Sequence, residues 1–185
     1  FGTGRVISAL PFSYDEFHAE RVRLADLDGS GAPALIYLKS TGFDIYRNLG
    51  GNGLEQTPVQ VPWPQGVRYQ RLCQVSFADL QGLGCSSLIL TVPHVHPQHW
   101  RYDFVAAKPY LLTASNNNMG CSATVEYRSS AQEWLDEKQR TLMLKRLPVC
   151  YLPFPVAVVK QQCQRDEITG NALRQSFGYG EGVYG

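Results

Sequence analysis

Asp26, Asp28 and Ser30 place three side-chain oxygens at alternate positions, and Gly31 follows in the sixth place. In a calcium loop, oxygen ligands sit at positions one, three and five, a glycine at six allows the sharp turn, and a carboxylate usually closes the set later. Asp26, Asp28 and Ser30 are therefore the metal site the sequence offers, and the metal would be calcium. The ninth position, however, is Ala34, which has no ligand oxygen. Carboxylates that cap backbone N–H groups in a tight reversal account for the same residues without an ion. Capping is the expectation, and no cofactor is required.

Three further groups of side chains have types suited to chemistry. His94 and His96 lie two apart, on one face of an extended chain, and His99 follows, so three imidazoles could converge on zinc as in a hydrolase. Pro93 and Pro97 instead mark a solvated loop, and Asp103 is the only acid near enough to support the set. Cys121 beside Gly120, or Ser129 and Ser130 near Glu126, would be the nucleophiles of a covalent mechanism. None has the local signature of a nucleophile elbow, so no enzyme activity is expected. Glu133 and Asp136 read as the solvated face of a helix. Trp63, Trp100, Trp134 and Tyr179 read as packing aromatics that could alternatively anchor a partner.

Charge narrows the function classes. Seventeen Lys and Arg against sixteen Asp and Glu give a net charge of +1 and a pI near 7.8. No basic patch appears, which argues against nucleic-acid binding. No apolar run approaches the roughly 20 residues that span a bilayer, so no direct membrane insertion is expected. The five cysteines are scattered and odd in number, without a C-x-x-C pair. They read as free thiols of a chain folded in a reducing cytoplasm, even if it is exported later. The chain opens on Phe1 and closes on Gly185, and reads as a piece of a longer polypeptide.

These residues need elements to hold them, and the elements repeat. Ala25-Asp26-Leu27-Asp28-Gly29-Ser30-Gly31 recurs 53 positions on as Ala78-Asp79-Leu80-Gln81-Gly82-Leu83-Gly84, and each copy leads into an apolar run with a Leu-Ile pair. A repeat of this period points to a propeller or solenoid. The first copy predicts strands at 22–24, 34–38, 43–47 and 59–61, with turns at 26–31, 40–42 and 48–53. Four short strands in about fifty residues make one propeller blade. The opening residues 1–12 suggest the last strand of a preceding blade. The second copy is expected to depart from the first at 93–100, as a terminal blade would.

Past Lys108 the texture changes. The sequence predicts a turn at 116–120, an alternating strand at 122–128, a helix at 131–140, a Pro-punctuated strand at 151–159, a hairpin turn within 165–173 and a last strand at 175–184. The fold class is all-β: partial β-propeller blades over 1–107, then over 108–185 a junction and the first strands of a large β-shell, with one short helix.

With those residues laid out, the chain resembles the middle region of the B component of the bacterial Tc (toxin complex) insecticidal toxins, and more loosely the related plasmid virulence proteins. The turn at 26–31 looks like the FG-GAP/VCBS-type repeat of that component. Lys108-Pro109-Tyr110-Leu111-Leu112, Asn117-Asn118-Met119-Gly120 and Tyr127-Arg128-Ser129-Ser130 look like its passage from propeller to shell. Leu152-Pro153-Phe154-Pro155-Val156, Asp166-Glu167-Ile168-Thr169-Gly170 and Tyr179-Gly180-Glu181-Gly182-Val183-Tyr184 look like the opening of an RHS/YD-repeat shell. The resemblance implies a secreted toxin part whose partners are the pore-forming A component and the C component, which carries the rest of the shell and the cytotoxic cargo. It implies docking and gating rather than catalysis. A reading from another class is a calcium-assisted propeller module that recognises carbohydrate or a cell-surface ligand.

Overall fold

In a computed structural model of the chain, the structure describes residues 15–145 and 149–182. Eleven strands, one α-helix and one short 3-10 turn are found among them, so the fold is all-β. The chain divides into two units. The first takes in the described residues up to Ala78 together with Cys85–Ala106; the second takes in Asp79–Gly84 and the described residues from Ala107 onward.

The first unit opens with β1 (Val22–Ala25), β2 (Ala34–Leu38), β3 (Gly42–Tyr46) and β4 (Val59–Pro62), an antiparallel meander in sequence order. This is the four-stranded sheet that the first repeat predicts. Strand alternation directs its side chains to two apolar clusters. Ala34, Ile36 and Leu38 of β2 and Phe43 and Ile45 of β3 enter the larger one. Leu35, Tyr37 and Tyr46 point to a smaller one with Leu54 and Val22. Gly42 is required where it stands, because a Cβ there would sit 2.3 Å from the Val61 carbonyl oxygen on β4.

The second repeat forms β5 (Gln74–Ala78), β6 (Ser87–Val92) and β7 (Gln98–Tyr102), a three-stranded antiparallel sheet. Leu88 and Leu90 are fully buried and join the larger cluster, with Trp100 and Tyr102 packed against it. The expected departure at 93–100 is corrected here. Residues 93–97 are the turn of an ordinary hairpin, and His99 and Trp100 already lie on β7, where Thr91 pairs with His99 and Val92 with Gln98. Two prolines bracket the turn without breaking the ladder.

The second unit holds β8 (Ala114–Asn116), β9 (Cys121–Ser129), α1 (Ser130–Met143), β10 (Ala157–Asp166) and β11 (Ala172–Ser176), with the sheet ordered β11-β10-β9-β8. The turn at 116–120 and the alternating strand that follows it are where the sequence puts them, and a hairpin turn separates β10 from β11. Three expectations are corrected. The strand predicted at 151–159 begins only at Ala157, because Pro153 and Pro155 lack the N–H a ladder needs, and it runs on to Asp166. The helix extends past 140 to Met143. The last strand stops at Ser176, and the glycine-rich residues that follow meet α1, where Tyr179 N–H donates to Glu133 Oε2 at 3.4 Å, and the segment before β10, where Tyr151 N–H donates to the Gly182 carbonyl at 2.8 Å. The strand expected within residues 1–12 and the final Val183 and Tyr184 lie outside the described residues.

Among the described residues, no helix is long and apolar enough to cross a membrane. The larger cluster sets the stability of the first unit, which gives a direct test. Leu88→Ala in the intact parent chain is expected to lower unfolding stability by about 2–5 kcal/mol, whereas Val95→Ala in the exposed turn changes it by less than about 0.5 kcal/mol. Urea denaturation of the two variants measures the difference.

Candidate functional site

The turn between β1 and β2 is built by its first carboxylate. Asp26 Oδ1 accepts the Gly29 N–H at 2.7 Å and Oδ2 accepts the Gly31 N–H at 2.9 Å. Asp28 Oδ1 accepts from Ser30 N–H at 3.0 Å, and Ser30 Oγ accepts from Ala32 N–H at 3.2 Å. All three candidate calcium ligands thus serve backbone donors that a tight reversal would otherwise leave unmet. Gly29 and Gly31 take φ of 70° and 80°, the left-handed region that glycine enters without strain. The Asp26 carbonyl accepts the Ser86 N–H at 2.8 Å, joining the first turn to the start of β6.

The second copy repeats the device with fewer acids. Asp79 Oδ1 accepts from Leu83 N–H at 3.0 Å and Oδ2 from Gly84 N–H at 2.7 Å. Gln81 and Leu83 replace the other two oxygen-bearing residues, yet the turn keeps its form. Within the second unit, the Gly82 carbonyl of this turn accepts a hydrogen bond from the Ser129 hydroxyl, and the Gly84 carbonyl accepts from Lys108 Nζ at 3.4 Å.

The other candidate residues are placed as follows. His94 and His96 stay exposed in the 93–97 turn, while His99 Nδ1 lies 2.9 Å from Thr91 Oγ1 on the neighbouring strand. Asp103 binds the Ser87 hydroxyl at 2.6 Å and Arg101 at 2.8 Å. Among the described residues, no three His, Cys, Asp or Glu side chains come together in a set that could hold a metal. Ser129 Oγ caps the first turn of α1 by accepting from Ala131 N–H at 3.2 Å, and Ser130 Oγ accepts from Val156 N–H at 2.9 Å. Cys121 lies exposed at the start of β9. Trp63 is buried against Phe43, with its Nε1 donating to the Lys39 carbonyl at 2.9 Å. Trp134 carries Lys138 Nζ 4.9 Å from its ring centre, and the Tyr179 hydroxyl donates to the Val159 carbonyl at 3.0 Å.

One arrangement escaped the sequence reading. Arg128, at the end of β9, reaches both Glu133 (2.8 Å) and Asp136 (2.5 Å) on α1. Glu133 is only 8% exposed, so it is not the solvated acid the helix pattern implies. The Arg128 hydrogen bond, then that of Gln132, holds the Asp136 carboxyl below its ordinary value. The clue was the spacing, since residues 128, 133 and 136 face one another only if a strand turns straight into a helix at 129–130. The pocket beside them, about 690 Å³, is lined by Arg128, Asp136, Arg140, Lys160 and Phe177, among others.

Comparison with known proteins places this geometry. The family described as the insecticide toxin TcdB middle/N-terminal region matches residues 49–185. A Photorhabdus luminescens Tc holotoxin pore contains a chain 48% identical, matched over 94% of this chain with a TM-score of 0.86. Crystal structures of TcdB2–TccC3, and of TcdB2–TccC3 without its hypervariable C-terminal region, each match at 47% identity over 95% of this chain, with TM-scores of 0.85. The chain spans 8% of the length of each of these. No curated protein matches it.

Two outcomes follow from the site geometry. Asp26→Ala leaves two backbone donors without their acceptor and is expected to destabilise the parent chain by about 1–3 kcal/mol; calcium or a chelator leaves the melting temperature of the unsubstituted chain unchanged, and a calcium-dependent rise would make the turn an ion site. Because Asp136 has its pKa lowered in the fold, its contribution is full above the ordinary value of 3.8 and fades as pH falls through the lower folded value. Asp136→Asn should therefore flatten the stability profile below pH of about 4, which denaturation at stepped pH measures.

Proposed function

Because the chain belongs to the family of the insecticide toxin TcdB middle/N-terminal region, we propose that it is a structural and gating stretch of a Tc toxin B component. In this reading the two repeats are FG-GAP/VCBS-type propeller blades that dock on the pore-forming A component. The sheet β8–β11 begins an RHS-type shell that, with the C component, encloses a cytotoxic C-terminal cargo and releases it through the propeller. The parent would fold in the bacterial cytoplasm and act as part of a secreted complex.

The observation that carries the reading is the 48% identity, over nearly the whole chain, to a chain of a Tc holotoxin pore. The local structure supports it. Two capped turns in register, a four-stranded meander and a second sheet sharing its core are what consecutive blades require. The chain supplies no chemistry of its own in this proposal: Ser129 and Ser130 use their hydroxyls on backbone groups, and the histidines stand apart. Gating would come from blades shifting against each other when the A component binds.

Binding of the intact parent chain to an A component, followed by interferometry with and without a calcium chelator, tests this. Saturable, chelator-insensitive binding is expected. Absence of binding, or binding abolished by the chelator, would move the assignment to a calcium-assisted module recognising carbohydrate or a cell-surface ligand.

A further inference from the structure

The second capped turn has a use that the first lacks. Carried forward by 53 positions, Gly29 and Gly31 fall on Gly82 and Gly84, Asp28 falls on Gln81 and Ser30 on Leu83. A Cβ at Gly31 would meet open space, whereas one at Gly84 would stand 3.3 Å from Lys108 Nζ. At Gly82 a Cβ would stand 3.0 Å from Ser129 Oγ and 3.3 Å from the Ala131 side chain. Ser30 is exposed, but Leu83 is half-buried and lines a cavity of about 350 Å³ with Val125 and Tyr127 of β9. An oxygen-bearing side chain suits a turn that faces water, and a leucine suits one that is covered. The loss of two polar residues thus marks the second turn as a contact surface, and within the second unit it meets the start of α1.

Ser129 makes this contact and serves the helix with the same atom. Its hydroxyl donates to the Gly82 carbonyl, and its oxygen accepts the Ala131 N–H at 3.2 Å as the N-cap of α1. One Oγ therefore answers to two neighbours, and both fix its rotamer. If the turn withdraws, Ser129 either follows it and leaves Ala131 uncapped, or keeps the cap and leaves the Gly82 carbonyl without its donor. We propose that Ser129 is a positioning residue that couples the turn Asp79–Gly84 to the first turn of α1, so that displacement of the one loosens the other. Glu133 lies in that first helical turn, and its carboxylate takes both Arg128 and the Tyr179 amide. The same displacement thus reaches the segment 177–182 through contiguous hydrogen bonds.

Asp79 governs the arrangement from the other side. Its carboxylate holds the Leu83 and Gly84 amides and with them the shape of the turn that presents the Gly82 carbonyl. Because β5 and β6 run into this turn from its two ends, a shift of those strands is also a shift of the turn. Use of the coupling in gating rests on the proposal that the repeats are propeller blades; the coupling itself does not.

Hydrogen exchange read by mass spectrometry on the intact parent chain, with no other component present, tests the coupling apart from any binding to the A component. Asp79→Asn removes one acceptor from the turn and is expected to speed exchange in the 130–136 stretch about fivefold, the factor of a lost helix cap. Ser129→Asp keeps a cap acceptor but has no proton for the Gly82 carbonyl, and on that background Asp79→Asn is expected to leave the 130–136 stretch unchanged. Gly82→Ala, which crowds Ser129 Oγ directly, carries the same pair of expectations should the Asp79 variant fail to fold. Ser129→Thr retains both functions and is expected to behave as the unsubstituted chain. A helix start that neither turn variant disturbs overturns the proposal. So does equal acceleration with and without Ser129→Asp, which is the mark of general loosening.

Discussion

A carboxylate at the head of each repeat holds the strands on either side of its turn in register. A chain that leaves one strand and enters the next within a few residues exposes backbone donors that neither strand can satisfy. Asp26 and Asp79 each answer two of them, and a hydrogen bond to a charged acceptor contributes about 1.5–3 kcal/mol. The reversal then delivers Ala34 opposite Ala25 and Ser87 opposite Ala78, where both ladders begin. A slip of one residue would turn Ile36 and Leu38, or Leu88 and Leu90, away from the core. Every buried contact of the two sheets is thus downstream of the turns.

The first unit was legible for the same reason. A strand that buries one face alternates, and one that buries both is apolar throughout: Leu35-Ile36-Tyr37-Leu38 serves two clusters on opposite sides of β2. The turn residues were legible because only a few side chains cap, and because glycine marks the left-handed positions. Beyond Ala107 this pressure is absent. The clusters of buried apolar residues found among the described residues all belong to the first unit. In β10 the run Lys160-Gln161-Gln162-Cys163-Gln164-Arg165 carries no pattern that demands a strand, and it forms one because β9 and β11 supply its hydrogen bonds from both sides. The aromatic and glycine alternation at 177–182 mimics a strand but serves close approach to a helix. At Gly180 an added Cβ would come within 3.1 Å of Glu137 Oε1.

The helix shows why the Arg128 cluster was missed. An apolar stripe is the usual sign of the buried face, yet α1 buries Glu133 and leaves Leu135 and Leu142 about half exposed. What fixes it is polar: the Ser129 cap, the Ser130 bond to Val156, and Arg128 reaching forward to two acids one turn apart. An isolated surface ion pair contributes little. This one differs because Glu133 is largely removed from water and also receives the Tyr179 amide, so loss of the arginine would leave a buried charge without its partner.

The two units therefore depend on different physics. The first is a packed core in which the carboxylate-capped turn after β1 sets register. The second is a hydrogen-bonded sheet and helix with large apolar side chains such as Met119, Tyr151 and Ile168 still in solvent. A sheet of that kind is completed by what it pairs with, and its four strands, paired mainly through their backbones, reject a neighbour only weakly by side-chain pattern. Specificity must then come from the ends, where Asp166 caps the β10–β11 turn through Ile168, Thr169 and its hydroxyl, and where Ser129 and Ser130 stop the ladder by starting a helix. The same economy governs both units: short polar side chains at the reversals decide the register, and the strands between them follow.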